Sequence, residues 1–423
     1  MDRRELLVSL ISDQTMPNVQ IIKELNTVTD YLFISTESME KKNVCKWIED
    51  VCSIEKRQKL IVDQFSPADI NIKLSRIDYS QYYKVHVNLT GGTKLMTIAV
   101  NDFFKVNCCD NVVFYYVTGK ANEYISYRAD DNIYPKAFEQ NISLSDYLKS
   151  YGFDYKGGAA SGYPLDVAKN VFNFYCDSDK LNDWKDTIKK YLNENRNNLR
   201  GRKNGVLSYE KYDNVAKFIE MINFKPRKYG ELDYKEVKYL SGEWFEEYIG
   251  LSIKKELQLS DDELYIGATI TKQINDYYKE VNNTDSLIGH SATKQQEDPK
   301  NEIDVMFMYK GNFYSIECKS DIFTYKLVKN KVGESKEKKY NILGETIYKV
   351  DSIKGRFGLY SKSSIVTLTD FKNIIDSEKD KNKKDNLVKD LESLIKRANL
   401  SGIKLVDGSM LLSSKSIGPL FIE

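Results

Sequence analysis

Histidine is almost absent from this 423-residue chain, which has only two, His86 and His290. That scarcity argues against a Ser-His-Asp triad or a two-histidine metal site. His86, in the strand-like KVHVNL, reads as structural or ligand-adjacent, and His290 falls in a polar loop. The six cysteines (45, 52, 108, 109, 176 and 318) form no CxxC pair and no zinc-type spacing, which leaves them as reduced thiols. No run approaches the roughly 20 apolar residues of a membrane span, so no membrane partner is expected. The opening MDRRELLVSLIS mixes both signs of charge ahead of a short strand-like run. It reads as neither signal peptide nor anchor, and the expected location is cytoplasmic. An excess of one charge is also missing. The 63 basic and 62 acidic residues leave +1, so any nucleic-acid contact must come from local patches.

The length suffices for two or three domains with real cores, and 41% apolar residues is an ordinary soluble balance. Residues 1–145 alternate strand and helix in the manner of a parallel α/β sheet. ELLVSLIS, YLFIST, KLIVD, YKVHVNL and VVFYYVTG read as buried strands. Helices are expected at Val19–Thr29, Lys41–Ile54, Ala68–Ile77 and Thr93–Val106. Ligands of such sheets bind beyond the carboxyl ends of the strands, and three of those ends are polar here. Asn88-Leu-Thr-Gly-Gly-Thr-Lys94 leaves a strand and enters a helix, whose free N–H groups favour an anion. Gly91 and Gly92 permit close backbone approach, Asn88, Thr90 and Thr93 offer hydrogen bonds, and Lys94 adds charge. The loop is neither a GxxxxGK[ST] nor a GxGxxG phosphate fingerprint. Gln14 and Thr15 follow the first strand, and Ser35 and Thr36 follow the second.

Residues 146–235 read as a mixed, mostly helical connector that opens on a glycine-rich linker or loop at 152–164. Helices are expected near 165–175, 180–196 and 211–222. For the basic stretch Asn193–Lys203, a solvated turn and a nucleic-acid contact both stay open. The remaining 236–423 forms a second α/β unit. Its helix near Ser241 carries the apolar Trp244, Phe245, Tyr248 and Ile249 with Glu243, Glu246 and Glu247 between them.

The sharpest chemistry lies in NEIDVMFMYKGNFYSIECK (301–319). Two apolar runs flank Lys310-Gly311-Asn312, a hairpin signal. With Gly311 and Asn312 as the loop, Lys310 faces Phe313 and Asp304 faces Lys319. Strand parity then puts Asp304, Glu317 and Lys319 on one face, and a one-residue slip would send Asp304 to the other side. Such carboxylates can hold a hard divalent cation that polarises a phosphate and acidifies a bound water. Further on, the lysine-rich 320–341 reads either as a loop tracking a phosphate backbone or as solvated charge. GETIYKVDSIKGRFGLYSKSSIVTL then reads as helix, glycine turn and strand.

These motifs carry a resemblance. Asp304, Glu317 and Lys319 in this order resemble the D…(D/E)xK signature of restriction-endonuclease-like nucleases. An N-terminal α/β domain with NLTGGTK after a central strand is similar to a CARF domain, the cyclic-oligoadenylate sensor of type III CRISPR systems. WFEEY, IDV…IECK and ETIYKVDSIKGRFG…SIVTL are similar to the C-terminal half of the CARF-coupled ancillary nucleases. The resemblance implies a Rossmann-like CARF domain joined to an endonuclease-like α/β domain, working as a homodimer activated by cyclic tetra-adenylate. It implies ligand contacts at Gln14, Thr15, Ser35, Thr36, Asn88, Thr90, Gly91, Gly92, Thr93 and Lys94. It also implies Mn²⁺ or Mg²⁺ on Asp304, Glu317, Glu246 and the carbonyl of Cys318, with Lys319 orienting water, and cleavage of DNA and RNA. Two rival readings are a ligand-responsive regulator that only holds nucleic acid and a restriction-type endonuclease that acts without a messenger.

Overall fold

The computed structural model describes residues 4–107, 111–120, 122–128, 133–176, 182–202, 205–210, 212–272, 301–329 and 335–422. Cys108, Cys109 and His290 lie outside the described residues, as does part of the lysine-rich stretch. The first unit is a seven-stranded sheet in the order β3-β2-β1-β4-β5-β6-β7. Its parallel strands are β1 (Glu5–Leu10), β2 (Asp30–Ser35), β3 (Gln58–Ile61), β4 (Lys84–Asn88) and β5 (Val112–Val117). β6 (Glu123–Tyr127) and β7 (Pro135–Ala137) extend it antiparallel, an edge the sequence pattern did not reveal. Strands β1, β2, β4 and β5 are nearly continuous apolar runs because helices cover both faces of the sheet. Those helices are α1 (Met16–Glu24), α2 (Glu37–Lys41), α3 (Val44–Cys52), α4 (Pro67–Leu74) and α5 (Lys94–Asn107). α1 starts three residues before the expected Val19, with Pro17 in its first turn, where a missing N–H costs nothing. The expected 41–54 helix is two helices, parted at Asn43, whose backbone is left-handed.

His86 is buried in β4 between Glu5 Oε2 at 3.0 Å and the Tyr115 hydroxyl at 2.9 Å, with Lys84 also acting on it. Burial lowers its pKa from the ordinary 6.5 and outweighs Glu5, which acts to raise it. The unfolded chain therefore takes up this proton at higher pH than the folded chain, and the stabilising contribution is lost as pH falls below about 6.5. Relative to a His86→Asn variant, the wild type is expected to lose Tm between pH 7.5 and 5.5. Parallel melting curves across that window would refute it.

The chain then passes through α6 (Leu144–Ser150) into β8 (Phe153–Gly157). β8 is the outer strand of the second sheet, paired with β11, and this corrects the reading of 152–164 as linker throughout. Its glycines looked like loop, but Phe153 packs in the core and the ladder to β11 supplies the backbone partners. Next come α7 (Leu165–Cys176), α8 (Asn182–Leu199), the short pair β9 (Val206–Ser208) and β10 (Glu231–Asp233) around α9 (Asp213–Met221), and α10 (Tyr234–Lys238). A π turn, Tyr239–Glu243, runs into α11 (Trp244–Leu257). The second sheet has the order β17-β16-β13-β12-β11-β8. It comprises β11 (Leu264–Lys272), the hairpin β12 (Asn301–Tyr309) and β13 (Asn312–Lys319), and then β16 (Ser361–Thr367) and β17 (Ile403–Val406) parallel to β13. The separate ribbon β14 (Phe323–Lys329) and β15 (Ser335–Asn341) precedes α12 (Leu343–Lys354). α13 (Phe371–Ser377), α14 (Lys381–Leu400) and α15 (Gly408–Ser413) complete the unit.

The two units share a core. Tyr147 of α6 stacks on Phe313 of β13 at 5.1 Å, and Phe153 and Phe313 both pack on Phe357. The Tyr147 hydroxyl donates to the Phe357 carbonyl at 2.5 Å.

Candidate functional site

The hairpin differs from expectation in register. Lys310 and Gly311 form the loop, both at positive φ (47° and 75°), and Asn312 pairs with Tyr309. A two-residue turn of this hand favours glycine at its second position, which Lys-Gly provides and Gly-Asn does not. Phe313 therefore faces Met308, and the ladder slides by two residues. Asp304 comes level with Glu317 in place of Lys319, but an even slip preserves the face. The three side chains stay together.

They form the floor of a cleft of about 470 Å³. Asp304 and Glu317 are buried, 7% and 6% exposed. Asp304 Oδ2 accepts the Cys318 N–H at 2.7 Å, and Lys319 Nζ lies 2.7 Å from Glu317 Oε1 and 3.8 Å from Asp304 Oδ2. Glu246, in the first turn of α11, lines the same cleft, as does Cys318. Its neighbour Glu247 turns away and accepts from the Ser161 amide and hydroxyl.

One participant escaped the sequence reading. Lys349, on α12, sits 2.8 Å from each oxygen of Glu317 and donates to the Glu302 carbonyl at 3.1 Å. It lies 32 residues from Glu317, and no local pattern links the two. α8 also supplies a wall, through Lys189, Asn193 and Arg196.

Burial, then the like charges of Asp304, Glu243 and Glu302, pushes Glu246 up to about 9. Burial and Glu317 push Asp304 up to about 7, against Lys319 and the Cys318 N–H. Burial works to lower Lys319, yet Asp304 and Glu317 raise it above its ordinary value. Crowded carboxylates with oxygen donors are the set a hard divalent cation relieves, so the residues fit such an ion by chemistry. In the arrangement seen, both Glu317 oxygens rest on lysines. Among the described residues, no three acidic, thiol or imidazole groups stand close enough to hold a metal.

A second pocket, about 430 Å³, opens at the carboxyl ends of β1, β2, β4 and β5. Gln14, Thr36, Thr90, Gly92 and Thr93 line it. Other residues of the expected ligand set stand behind it. Asn88 is fully buried and braces the loop, its Oδ1 accepting from the Thr90 amide (3.1 Å) and hydroxyl (2.7 Å). A Cβ on Gly91 would lie 2.0 Å from the Leu10 carbonyl oxygen, so this glycine lets the loop press against β1. Thr15 and Ser35 are fully buried, Thr15 donating to Ser150 Oγ at 3.2 Å. Lys94 is exposed at the start of α5, which Thr93 caps through the Met96 amide. None of Thr15, Ser35, Asn88, Gly91 and Lys94 lines the pocket.

The pocket has a wall no sequence pattern could announce. Leu359 and Tyr360, from the turn between α12 and β16, close one side of it. The Leu359 N–H donates to Gln14 Oε1 at 3.0 Å, and the Tyr360 hydroxyl donates to the Thr118 carbonyl at 2.9 Å. The helix carrying Lys349 thus ends on the wall of the first unit's pocket.

Comparisons with known proteins bear on both units. The family model for the Card1 CARF domain matches residues 6–147. No curated protein matches the chain. Among solved structures, protein VC1899 from Vibrio cholerae is similar over 98% of this chain and 96% of its own, at 13% identity and a TM-score of 0.63. Can2 from Sulfobacillus thermosulfidooxidans, in complex with cyclic tetra-adenylate, is similar over 98% of this chain and 94% of its own, at 16% identity and a TM-score of 0.61. At such identities the likeness is one of fold: a Rossmann-like CARF-type sheet followed by a second α/β sheet. No helix among the described residues is long and apolar enough to cross a membrane.

Proposed function

Starting from a chain whose first unit is a CARF domain, we propose that this protein is a cyclic-oligoadenylate-activated, metal-dependent nuclease of type III CRISPR defence, with cyclic tetra-adenylate as its messenger. The observation that carries the reading is the joint between the two sites. The turn that walls the CARF pocket continues directly from the helix whose Lys349 holds Glu317. A ligand contacting Gln14 or Tyr360 would act on a segment rigidly continuous with the cleft. A messenger shifts an equilibrium only through differential contacts of this kind.

Asp304, Glu317 and Glu246 would hold Mn²⁺ or Mg²⁺, which supplies Lewis-acid polarisation of a phosphate and a more acidic bound water. Lys319, kept protonated by its two carboxylates, orients the attacking water and offsets charge building on the phosphate oxygens. Asp304 is oriented by the Cys318 N–H. Lys349 must leave at least one Glu317 oxygen for an ion to bind there, and movement of α12 would accomplish that. Both DNA and RNA are proposed substrates, since backbone chemistry at such a site hardly separates them. The deciding experiment is cleavage of labelled single-stranded RNA, single-stranded DNA and supercoiled plasmid with Mn²⁺, with and without cyclic tetra-adenylate. Messenger binding without any cleavage would replace this reading by that of a regulator, and equal cleavage without messenger would point to a restriction-type enzyme.

The proposed homodimer rests on a patch beside the pocket. Leu95, Ile98 and Val106 form an outward stripe on α5 (38%, 58% and 78% exposed), with Ile72 and Phe65 also exposed on and just before the adjacent α4. A ring of four nucleotides exceeds a pocket of about 430 Å³, and two pockets across a two-fold axis would supply the space. Leu95→Lys with Ile98→Asp is expected to halve the mass seen by light scattering and weaken messenger binding at least about 10-fold. An unchanged mass would remove this surface as the interface.

A further inference from the structure

Helix α8 belongs to the connector, yet it forms one wall of the carboxylate cleft. Its side chains follow a pattern: Lys189, Asn193, Arg196 and Arg200 are spaced four, three and four apart, a single stripe on a helix of 3.6 residues per turn. The buried face, Ile188, Leu192 and Leu199, is rotated about a quarter turn from it. The stripe is therefore held in place by the core while its own side chains stay accessible. Lys189, Asn193 and Arg196 line the cleft, and Arg200 continues the line outward, about 16 Å from end to end at 1.5 Å per residue.

Charge neutralisation separates the members. Lys189 Nζ pairs with Asp321 at 3.2 Å, tying the helix to the segment just after Lys319. Arg196 and Arg200 carry no ion pair among the described residues. Gly242 in the π turn lies against the Arg196 guanidinium, a Cβ built there falling 3.8 Å from Nη1, an ordinary contact. Arg196 stands in the wall of the carboxylate cleft and Arg200 one turn further along, both open to solvent, so an anionic ligand can reach them. Guanidinium is the side chain best matched to phosphate. A cleft of about 470 Å³ is within the range that takes one drug-sized molecule, about 300–1,000 Å³. It has room for one nucleotide at a time.

We infer that the α8 stripe is a strand-binding track: Arg196 and Arg200 grip successive phosphates of a single-stranded nucleic acid and lay the scissile bond over Asp304 and Glu317. This rests on the nuclease reading above and names the residues that present its substrate. They are positioning residues and take no part in bond breaking.

The test uses the full-length protein with cyclic tetra-adenylate and Mn²⁺. Cleavage of a labelled single-stranded oligonucleotide is compared among wild type, Arg196→Ala/Arg200→Ala, Arg196→Lys/Arg200→Lys and Lys190→Ala, the last a charge on the same helix off the stripe. The alanine pair is expected to raise KM about 10-fold with kcat little changed, the lysine pair to recover most of that, and Lys190→Ala to be silent. Metal-free binding to the same strand should lose about 0.7 in salt slope for each arginine removed. An alanine pair with wild-type KM and salt slope overturns the track while the nuclease reading stands. A wild type that neither binds nor cuts nucleic acid with messenger present overturns both. Duplex cleavage with equal dependence on the two arginines overturns the single-strand assignment.

Discussion

Replacing Glu317 by glutamine is expected to lower messenger-dependent cleavage by roughly 10²–10³-fold, the usual cost of removing one charged or donor group aimed at developing charge. The substitution keeps shape and volume, removes the negative charge and turns one of the two acceptor oxygens facing the lysines into an NH2 donor. Three things depend on that charge. It is one of the carboxylates proposed to hold the divalent ion, it helps keep Lys319 protonated, and it anchors Lys349 through both oxygens. The Glu317 carboxylate is 6% exposed, while Lys319 and Lys349 are 27% and 38% exposed and can turn to water. The stability cost should therefore be modest, about 1.5–3 kcal/mol as for a hydrogen bond to a charged group. Calorimetry with cyclic tetra-adenylate should show unchanged affinity, because Glu317 does not line the pocket proposed for the messenger. A glutamine variant that melts normally and cuts as fast as wild type would take Glu317 out of the reaction.

The second large effect is expected at Gly358, where valine should abolish the messenger's stimulation while leaving basal cleavage. Gly358 has φ of +79°, a conformation that costs a β-branched residue dearly, and a Cβ there would lie 2.1 Å from the Tyr151 hydroxyl and 2.8 Å from Gln14 Oε1. Tyr151 is buried and cannot swing aside as a surface lysine could. The glycine sits between Phe357, whose carbonyl takes the Tyr147 hydroxyl, and Leu359, whose N–H reaches Gln14. Forcing this turn away from Tyr151 and Gln14 breaks the contacts that hold the segment leading from α12 and Lys349 against the pocket. Coupling energies of this kind are typically worth 5–150-fold, and the ratio of rates with and without messenger should fall by a factor in that range. Gly355→Ala is the control. It lies in the same region with φ of −60°, nothing stands within 4 Å of its Cβ, and it should be silent. Full stimulation in Gly358→Val would send the signal by another route.

Much of this molecule was legible from sequence because the features concerned are local. Apolar runs marked the strands of the first sheet, and NLTGGTK announced a loop that meets a helix start at the end of a strand. Parity alone placed Asp304, Glu317 and Lys319 on one face, a result that survived a two-residue error in register because side-chain direction depends only on whether the slip is odd or even. Tertiary structure decided the rest. Which residues of NLTGGTK line the pocket and which support it depended on the approach of β1, since Gly91 is set by a carbonyl 81 positions earlier in the chain. The recruitment of Phe153–Gly157 into the second sheet depended on β11 being there to pair with it. Lys349 on Glu317, Arg196 at the cleft and Leu359 against Gln14 bring together residues that no periodicity relates. Periodicity records which way a side chain points within its own element. What it points at is settled by the packing of elements far apart in the chain, and in this protein that packing built the contact between the first unit's pocket and the carboxylate cleft.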